Sequence, residues 1–215
     1  MEISVKRGHA HEQKTACLIV GVHAGKRLGS AAEAIDKATR GAVSRLVKRG
    51  DISGNLSETL MIPEAPGTGA ERVLLVGCGK PDGISAAEYL QLVQKAARVT
   101  ADAGLKNAVS CLGDVHVRDR DLGWKMPQGC LAFGGAAYRF DKMKSKPSRR
   151  AQFARLGLLV SAEDYAEAQQ AANTARGMLS GLSLMKDLAN LPGNHCPPSH
   201  LADTARALGK THKSL

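Results

Sequence analysis

Three places in this chain gather side chains that could do chemistry. The first is His195, Cys196 and His200. Two imidazoles and a thiol can ligate zinc, and a thiol beside an imidazole can serve as nucleophile and base. A closed zinc site takes four ligands, and here Pro197 and Pro198 stiffen the middle of a set of three. Neighbours in sequence seldom face each other, and no third group stands ready to orient the imidazole. The triplet therefore reads as linker. The second place is Gly77-Cys78-Gly79-Lys80-Pro81, between a strand pattern and a helix pattern. A glycine-rich loop there can cradle phosphate. It has neither the P-loop nor the dinucleotide spacing, and Pro81 removes an N–H donor, so a plain turn is the stronger reading. The third is residues 139–155, with seven basic residues against Asp141 alone, a net +6 of the chain's +10.

Such a run is most often a solvated loop. The sharper reading is an acidic partner, duplex DNA, held by Lys142, Lys144, Lys146, Arg149 and Arg150. Only 3% of residues are aromatic, so contact with the phosphate backbone is expected rather than base stacking. A hydrolase with two metal ions needs several converging carboxylates. The acidic residues here are scattered along helix faces and turns, so no catalytic residue and no metal ligand is assigned within 1–215.

Alternating strand and helix patterns must position all of this. Residues 15–22 (TACLIVGV), 72–76 (RVLLV), 107–112 and 155–160 are short apolar runs that fit strands buried on both faces. Residues 57–62 and 3–6 are weaker candidates, nearer an edge. Ser30 with Glu33 and Ser85 with Glu88 have the spacing of a capping box. The first predicts one helix to about Lys48, with Ile35, Ala38, Ala42 and Leu46 inward, ended by Gly50. The second predicts a helix ending at Gly104. A third, near 127–138, contains Gly134-Gly135, a pair that predicts close packing against a neighbour. Together these predict an α/β domain over 1–160, with a mostly parallel sheet and helices on both faces.

From Ser161 to Asn190 the pattern changes. Tyr165, Ala168, Ala172, Ala175, Leu179, Leu182, Met185 and Ala189 recur at spacings of three and four, a single stripe along one long helix. It runs into Lys186-Asp187-Leu188, then Asn190, Pro192, Asn194 and Pro198, then Leu201-Ala202. This series resembles the interdomain junction of the leucyl (cytosol) aminopeptidase family. Residues 74–80 and 138–144 are also similar to segments of that family.

The resemblance implies a macro-domain-like N-terminal domain, an interdomain helix and turn at 161–194, and the start of a catalytic domain at 195–215. It implies a cytosolic peptidase with two divalent ions, manganese or zinc, acting on peptides as a hexamer. The metal ligands and catalytic lysine and arginine would lie beyond 1–215, leaving this chain inactive alone. Asn190, Pro192, Asn194 and Pro198 would then be structural. Some bacterial members bind DNA through the N-terminal domain, and the macro-domain likeness allows a nucleotide ligand. Five cysteines with no C-x-x-C spacing fit buried free thiols in a reducing cytoplasm. No apolar run reaches the length of a membrane span, and the first ten residues lack the pattern of a secretory signal.

Overall fold

The computed structural model describes residues 1–146 and 152–212. Its centre is a seven-stranded sheet made of β1 (Glu2–Lys6), β2 (Leu18–His23), β3 (Arg27–Leu28), β4 (Thr59–Ile62), β5 (Val73–Gly77), β6 (Asn107–Ser110) and β7 (Arg155–Leu159). The order is β1-β7-β6-β2-β5-β4, with β3 folded back on β2. Pairing is parallel from β1 through β5, and β4 is antiparallel to β5. The four long apolar runs are thus the interior strands. The two weak ones, β1 and β4, are the edges.

Alternation along each interior strand divides the core into two layers. Leu18, Val20 and Val22 of β2 pack with Val73 and Leu75 of β5 on one face. Ile19, Leu74 and Val76 pack on the other. The first layer is closed by α1 (Ser30–Ala38) and α2 (Ala42–Arg49). The second is closed by α3 (Ala86–Asp102), α4 (Leu122–Ala137) and α5 (Tyr165–Asn190). A final helix, α6 (Pro198–Thr211), follows the turn and contains no buried residue. The α/β architecture with a mostly parallel sheet, helices on both faces and the long helix α5 is the one expected.

Local rules explain most boundaries. Ser85 and Glu88 form the capping box of α3: the hydroxyl accepts from the Glu88 N–H, and the carboxylate accepts from the Ser85 N–H at 2.7 Å. The other predicted box is absent. Gly29 caps α1, and the Ser30 hydroxyl donates instead to the Asp114 carboxylate at 2.7 Å. The expected single helix over 30–48 is also two helices. Arg40 and Gly41 both have left-handed backbone, φ 53° and 82°. The Asp36 carboxylate accepts from the Ser44 N–H at 2.8 Å, so the second helix gets its own N-terminal partner. The break resets the phase. Val43 and Val47 are inward rather than Ala42 and Leu46.

In α4, the Asp121 side chain accepts from the Trp124 N–H and starts the helix five residues before Pro127. Gly134 is the close contact predicted for the glycine pair. A Cβ there would overlap Leu179 Cδ2 of α5, whereas Gly135 faces open space. Gly134→Ala is expected to cost about 1–3 kcal/mol, because Leu179 can swing only partly aside. Gly135→Ala, which removes a poor helix former, should be neutral or stabilising. Chemical denaturation of the two variants checks the contrast.

Candidate functional site: the helix junction

A polar network lies where α4 ends and α5 ends. Tyr138 follows α4 with extended backbone, φ −65° and ψ 132°, so its ring turns back toward the last turns of α5. Its hydroxyl donates to Asp187 Oδ1 at 3.0 Å. Lys142 Nζ meets Asp187 Oδ2 at 2.8 Å. Lys186 Nζ lies 5.0 Å from the Tyr138 ring centre, a cation–π contact. Asn190 Nδ2 donates to the Tyr138 hydroxyl at 3.3 Å and to the Lys186 carbonyl at 2.8 Å. Residues 138–142 and 186–190 are the segments that the sequence marks separately, and in the fold they hold one another.

The charge balance is local. The Lys142 ammonium holds the Asp187 carboxyl below its ordinary value; burial opposes it less strongly, and the Tyr138 hydroxyl adds a smaller lowering effect. Burial raises the Tyr138 phenol, with Asp187 pushing the same way. Because Asp187 is depressed in the folded state, its contribution is complete above the ordinary carboxylate range and fades as pH falls through the folded value. The Lys142 side chain is 60% exposed, so water screens the pair and its worth is at most about 1 kcal/mol. Stability of Asp187→Asn followed against pH should lose this acid-side slope and match wild type at the lowest pH. An unchanged slope would remove Asp187 from the account.

This network holds helices together. It contains no nucleophile paired with a base and no converging carboxylates. The rest of the junction is likewise a turn. The His195 and Cys196 N–H groups both donate to the Pro192 carbonyl, at 2.8 and 3.0 Å. Pro198 is the first residue of α6, a position that suits its fixed φ and missing N–H. Asn190 bonds its own helix and Tyr138, and Asn194 is exposed. His195 is exposed and Cys196 and His200 half-buried. Among the described residues no three His, Cys, Asp or Glu side chains lie close enough to hold a metal ion. The residues present therefore do not fit a metal pair.

The glycine loop after β5 is spoken for. The N–H groups of Gly77, Cys78 and Gly79 donate to the carbonyls of Glu58, Val22 and Gly54. These three are not free for a phosphate. A crevice of about 190 Å³ does open at the carboxyl ends of β2 and β6, lined by Gly21, His23, Ser30 and Asp114. This is where open α/β sheets commonly take ligands. Its Ser30 hydroxyl is committed to the Asp114 carboxylate, a wall that repels anions, and burial keeps His23 toward its neutral form.

Of the basic residues in the 139–155 segment, Arg149 and Arg150 lie outside the described residues. Lys142 is paired with Asp187, and Lys144 Nζ meets Asp141 at 2.6 Å. Lys146 is exposed. Cys17, Cys78, Cys111 and Cys130 are buried free thiols; burial pushes Cys17 and Cys130 up to about 12, which makes them inert packing groups. Sequence reasoning missed Lys125. Half-buried, its ammonium donates to the carbonyls of Gly113 (2.5 Å) and Val115 (3.1 Å), and burial lowers its pKa. No sequence signal marks it, since the acceptors are backbone.

The fold recurs in solved structures. A tomato leucine aminopeptidase mutant superposes with a TM-score of 0.72, at 18% identity, over 98% of this chain and 42% of that one. The bottromycin maturation enzyme BotP, in complex with Mn, gives 0.65 at 18% identity, over 92% and 36%. Residues 19–147 match the family model described as "Cytosol aminopeptidase family, N-terminal domain". This chain belongs to the cytosol aminopeptidase family. A probable cytosol aminopeptidase of Thioalkalivibrio sulfidiphilus is 40% identical, and one of Actinobacillus pleuropneumoniae serotype 3 is 36% identical, each over 217 aligned residues. Both alignments cover all of this chain and 44% of the relative, so the chain spans a little under half the length of these proteins.

Proposed function

We propose that this chain is the non-catalytic N-terminal part of a two-metal aminopeptidase that releases N-terminal amino acids from peptides. The observation that carries the reading is the match of the whole chain to the first-named relatives over only 44% of their length. The junction supports it. The residues that resemble the family's interdomain segment are those that tie α5 to α4. In this reading the N-terminal domain covers 1–160, the interdomain helix and turn 161–194, and 195–215 begins the catalytic domain. The parent is a cytoplasmic hexamer that uses manganese or zinc, and its metal ligands lie beyond 1–215. No chemical step is assigned to this chain, whose role is to shape and orient. No helix among the described residues is long and apolar enough to cross a membrane.

The test is hydrolysis of a leucine anilide with added Mn²⁺ or Zn²⁺. The 215-residue chain should give no turnover above buffer. The same chain extended to the length of its relatives should turn the anilide over, lose activity with chelator and regain it with metal. Turnover by 1–215 alone would place an active site here and overturn the reading.

DNA binding through 139–155 has weaker support than its charge implied. Two of the three described lysines that would carry it already face carboxylates.

A further inference from the structure

A groove of about 650 Å³ opens at the amino ends of the strands. It lies on the sheet face that α1 and α2 close over β2 and β5, and no residue of either helix lines it. Parallel strands are normally covered on both faces. Here the amino halves of β1, β7 and β6 are open on one. Alternation puts Glu2, Ser4 and Lys6 of β1 on this face, while Ile3 and Val5 face the core. In register across the sheet, Glu2 stands beside Arg155 and Arg155 beside Asn107. Gly157 stands between Ser4 and Val109 and adds no side chain, so the floor stays low.

The polar groups of this groove are held in place and unused. Asn107 Oδ1 accepts from the Thr15 hydroxyl and from the Ala16 N–H, both at 2.9 Å. A backbone N–H can pair only with the oxygen of a side-chain amide, so the orientation of Asn107 is fixed. Thr15 is itself buried, which makes the support rigid. The Asn107 Nδ2 group, with two donors, has no acceptor among the described residues. Beside it Arg155 is exposed, and among the described residues no carboxylate lies within ion-pair distance of Arg155, Lys6 or Lys14. Glu2 and Glu71, which also line the groove, are equally unpaired there.

We propose that this groove binds a short peptide by its C-terminal carboxylate, seated between the Arg155 guanidinium and the Asn107 amide. The two side chains stand on adjacent strands about 4.8 Å apart, and together they offer parallel N–H donors to a planar carboxylate. Glu2 and Glu71 oppose a second negative charge, so phosphates and other polyanions are selected against. The volume falls within the roughly 300–1,000 Å³ of clefts that enclose small ligands. Its lining of Ser4, Asn107 and charged groups suits the amides of a peptide better than an apolar chain. The groove lies at the opposite end of the strands from the crevice lined by His23 and Asp114. Binding there breaks no bond. The proposal therefore does not rest on the peptidase reading, and anilide hydrolysis has no bearing on it.

The test is fluorescence polarisation of the tetrapeptide Gly-Ser-Ala-Ala, rhodamine-labelled at its N-terminus, with the 215-residue chain. The free acid should bind at least about tenfold more tightly than the C-terminally amidated form. Asn107→Asp keeps an oxygen for Thr15 and Ala16 but replaces the donors with a repelling charge. It should weaken binding of the free acid by about tenfold or more while the melting temperature holds. Arg155→Gln alters an exposed and unpaired side chain and should weaken binding as much; it carries the test alone if Asn107→Asp melts early. Lys37→Gln, on α1, is the comparison and should leave binding unchanged. No binding of the free acid, equal binding of the amide, or an equal loss in Lys37→Gln overturns the proposal. Displacement by succinate at the concentration where the peptide half-saturates the chain would overturn the peptide as occupant and assign the groove to a free dicarboxylate.

Discussion

Gly77→Ala should lower the stability of the protein by about 3 kcal/mol or more, and at worst leave it unfolded. Gly77 ends β5, fully buried, directly beneath the loop that carries Gly54 and Asn55. A methyl group on its Cα would fall inside the radius of the Asn55 carbonyl oxygen and press on the Gly54 backbone. These are main-chain atoms, and they cannot rotate away. They are also fixed from several sides. The Ser57 N–H donates to the Gly77 carbonyl at 2.9 Å, the Gly77 N–H to Glu58 at 2.7 Å, and the Gly79 N–H to Gly54 at 3.0 Å. The Glu58 carboxylate accepts from the Ser53 N–H and hydroxyl, holding the same loop from its other end. Relief would require the loop to lift and these bonds to break together.

Backbone conformation is not the cause, since Gly77 is not among the glycines with positive φ. The cost is space alone, so serine should be as harmful as alanine. Gly25→Ala is the informative control. Gly25 has φ 77° and nothing within 4 Å of a Cβ, so only the left-handed penalty of about 1 kcal/mol applies. Urea denaturation of the two variants would separate them. If Gly77→Ala unfolded at the wild-type midpoint, the crowding against Asn55 would not exist. A phosphate-cradling loop would behave differently, losing ligand affinity before stability.

Much of the fold is readable in the sequence because the signals are local. Uninterrupted runs such as LIVGV and VLLVG have the length and branching of strands buried on both faces, and they form β2 and β5. The Ser85–Glu88 box works because it serves backbone groups within one turn. The Ser30–Glu33 pair has identical spacing and fails because Asp114, 84 residues away, offers Ser30 a better acceptor. The break at Arg40-Gly41 is hidden for a related reason. Glycine inside a helical pattern lowers helix preference only modestly, and it is Asp36 reaching forward to Ser44 that makes two helices the better arrangement. At the junction, sequence can mark residues 138–142 and 186–190 separately. That they touch depends on α4 and α5 lying parallel in one layer, start beside start and end beside end, which no local pattern encodes. Lys142 accordingly reads as free charge in the sequence, whereas its partner in the fold is Asp187.

The largest contrast in dynamics should run along α5 and α6. In the first half of α5, Ala168, Ala171, Ala172 and Ala175 are all but inaccessible and share the core with Phe133 and Leu156. In the second half, Met178 and Met185 are 45% and 56% exposed, and Leu182, between them on the same face, is only half-buried. Then α6 buries nothing, and Leu201 is 47% exposed. A helix of this length without tertiary packing is marginal in water, because nucleation costs more than a few turns of hydrogen bonds return. Amides of 200–211 should therefore exchange within about tenfold of unstructured rates, those of 168–175 nearly as slowly as β5, and those of 182–190 in between. The intermediate class depends on the Tyr138–Asp187 contact, so Tyr138→Phe should speed exchange in 184–190 and leave 168–175 unchanged. The outward stripe of Met178, Leu182 and Met185 should also drive self-association that Met178→Gln/Met185→Gln abolishes, read by light scattering at rising concentration. In the extended protein proposed above, the missing half would cover this stripe and α6, and both signatures should vanish. Uniformly slow exchange from 168 through 211 in a monomeric 215-residue chain would contradict this account.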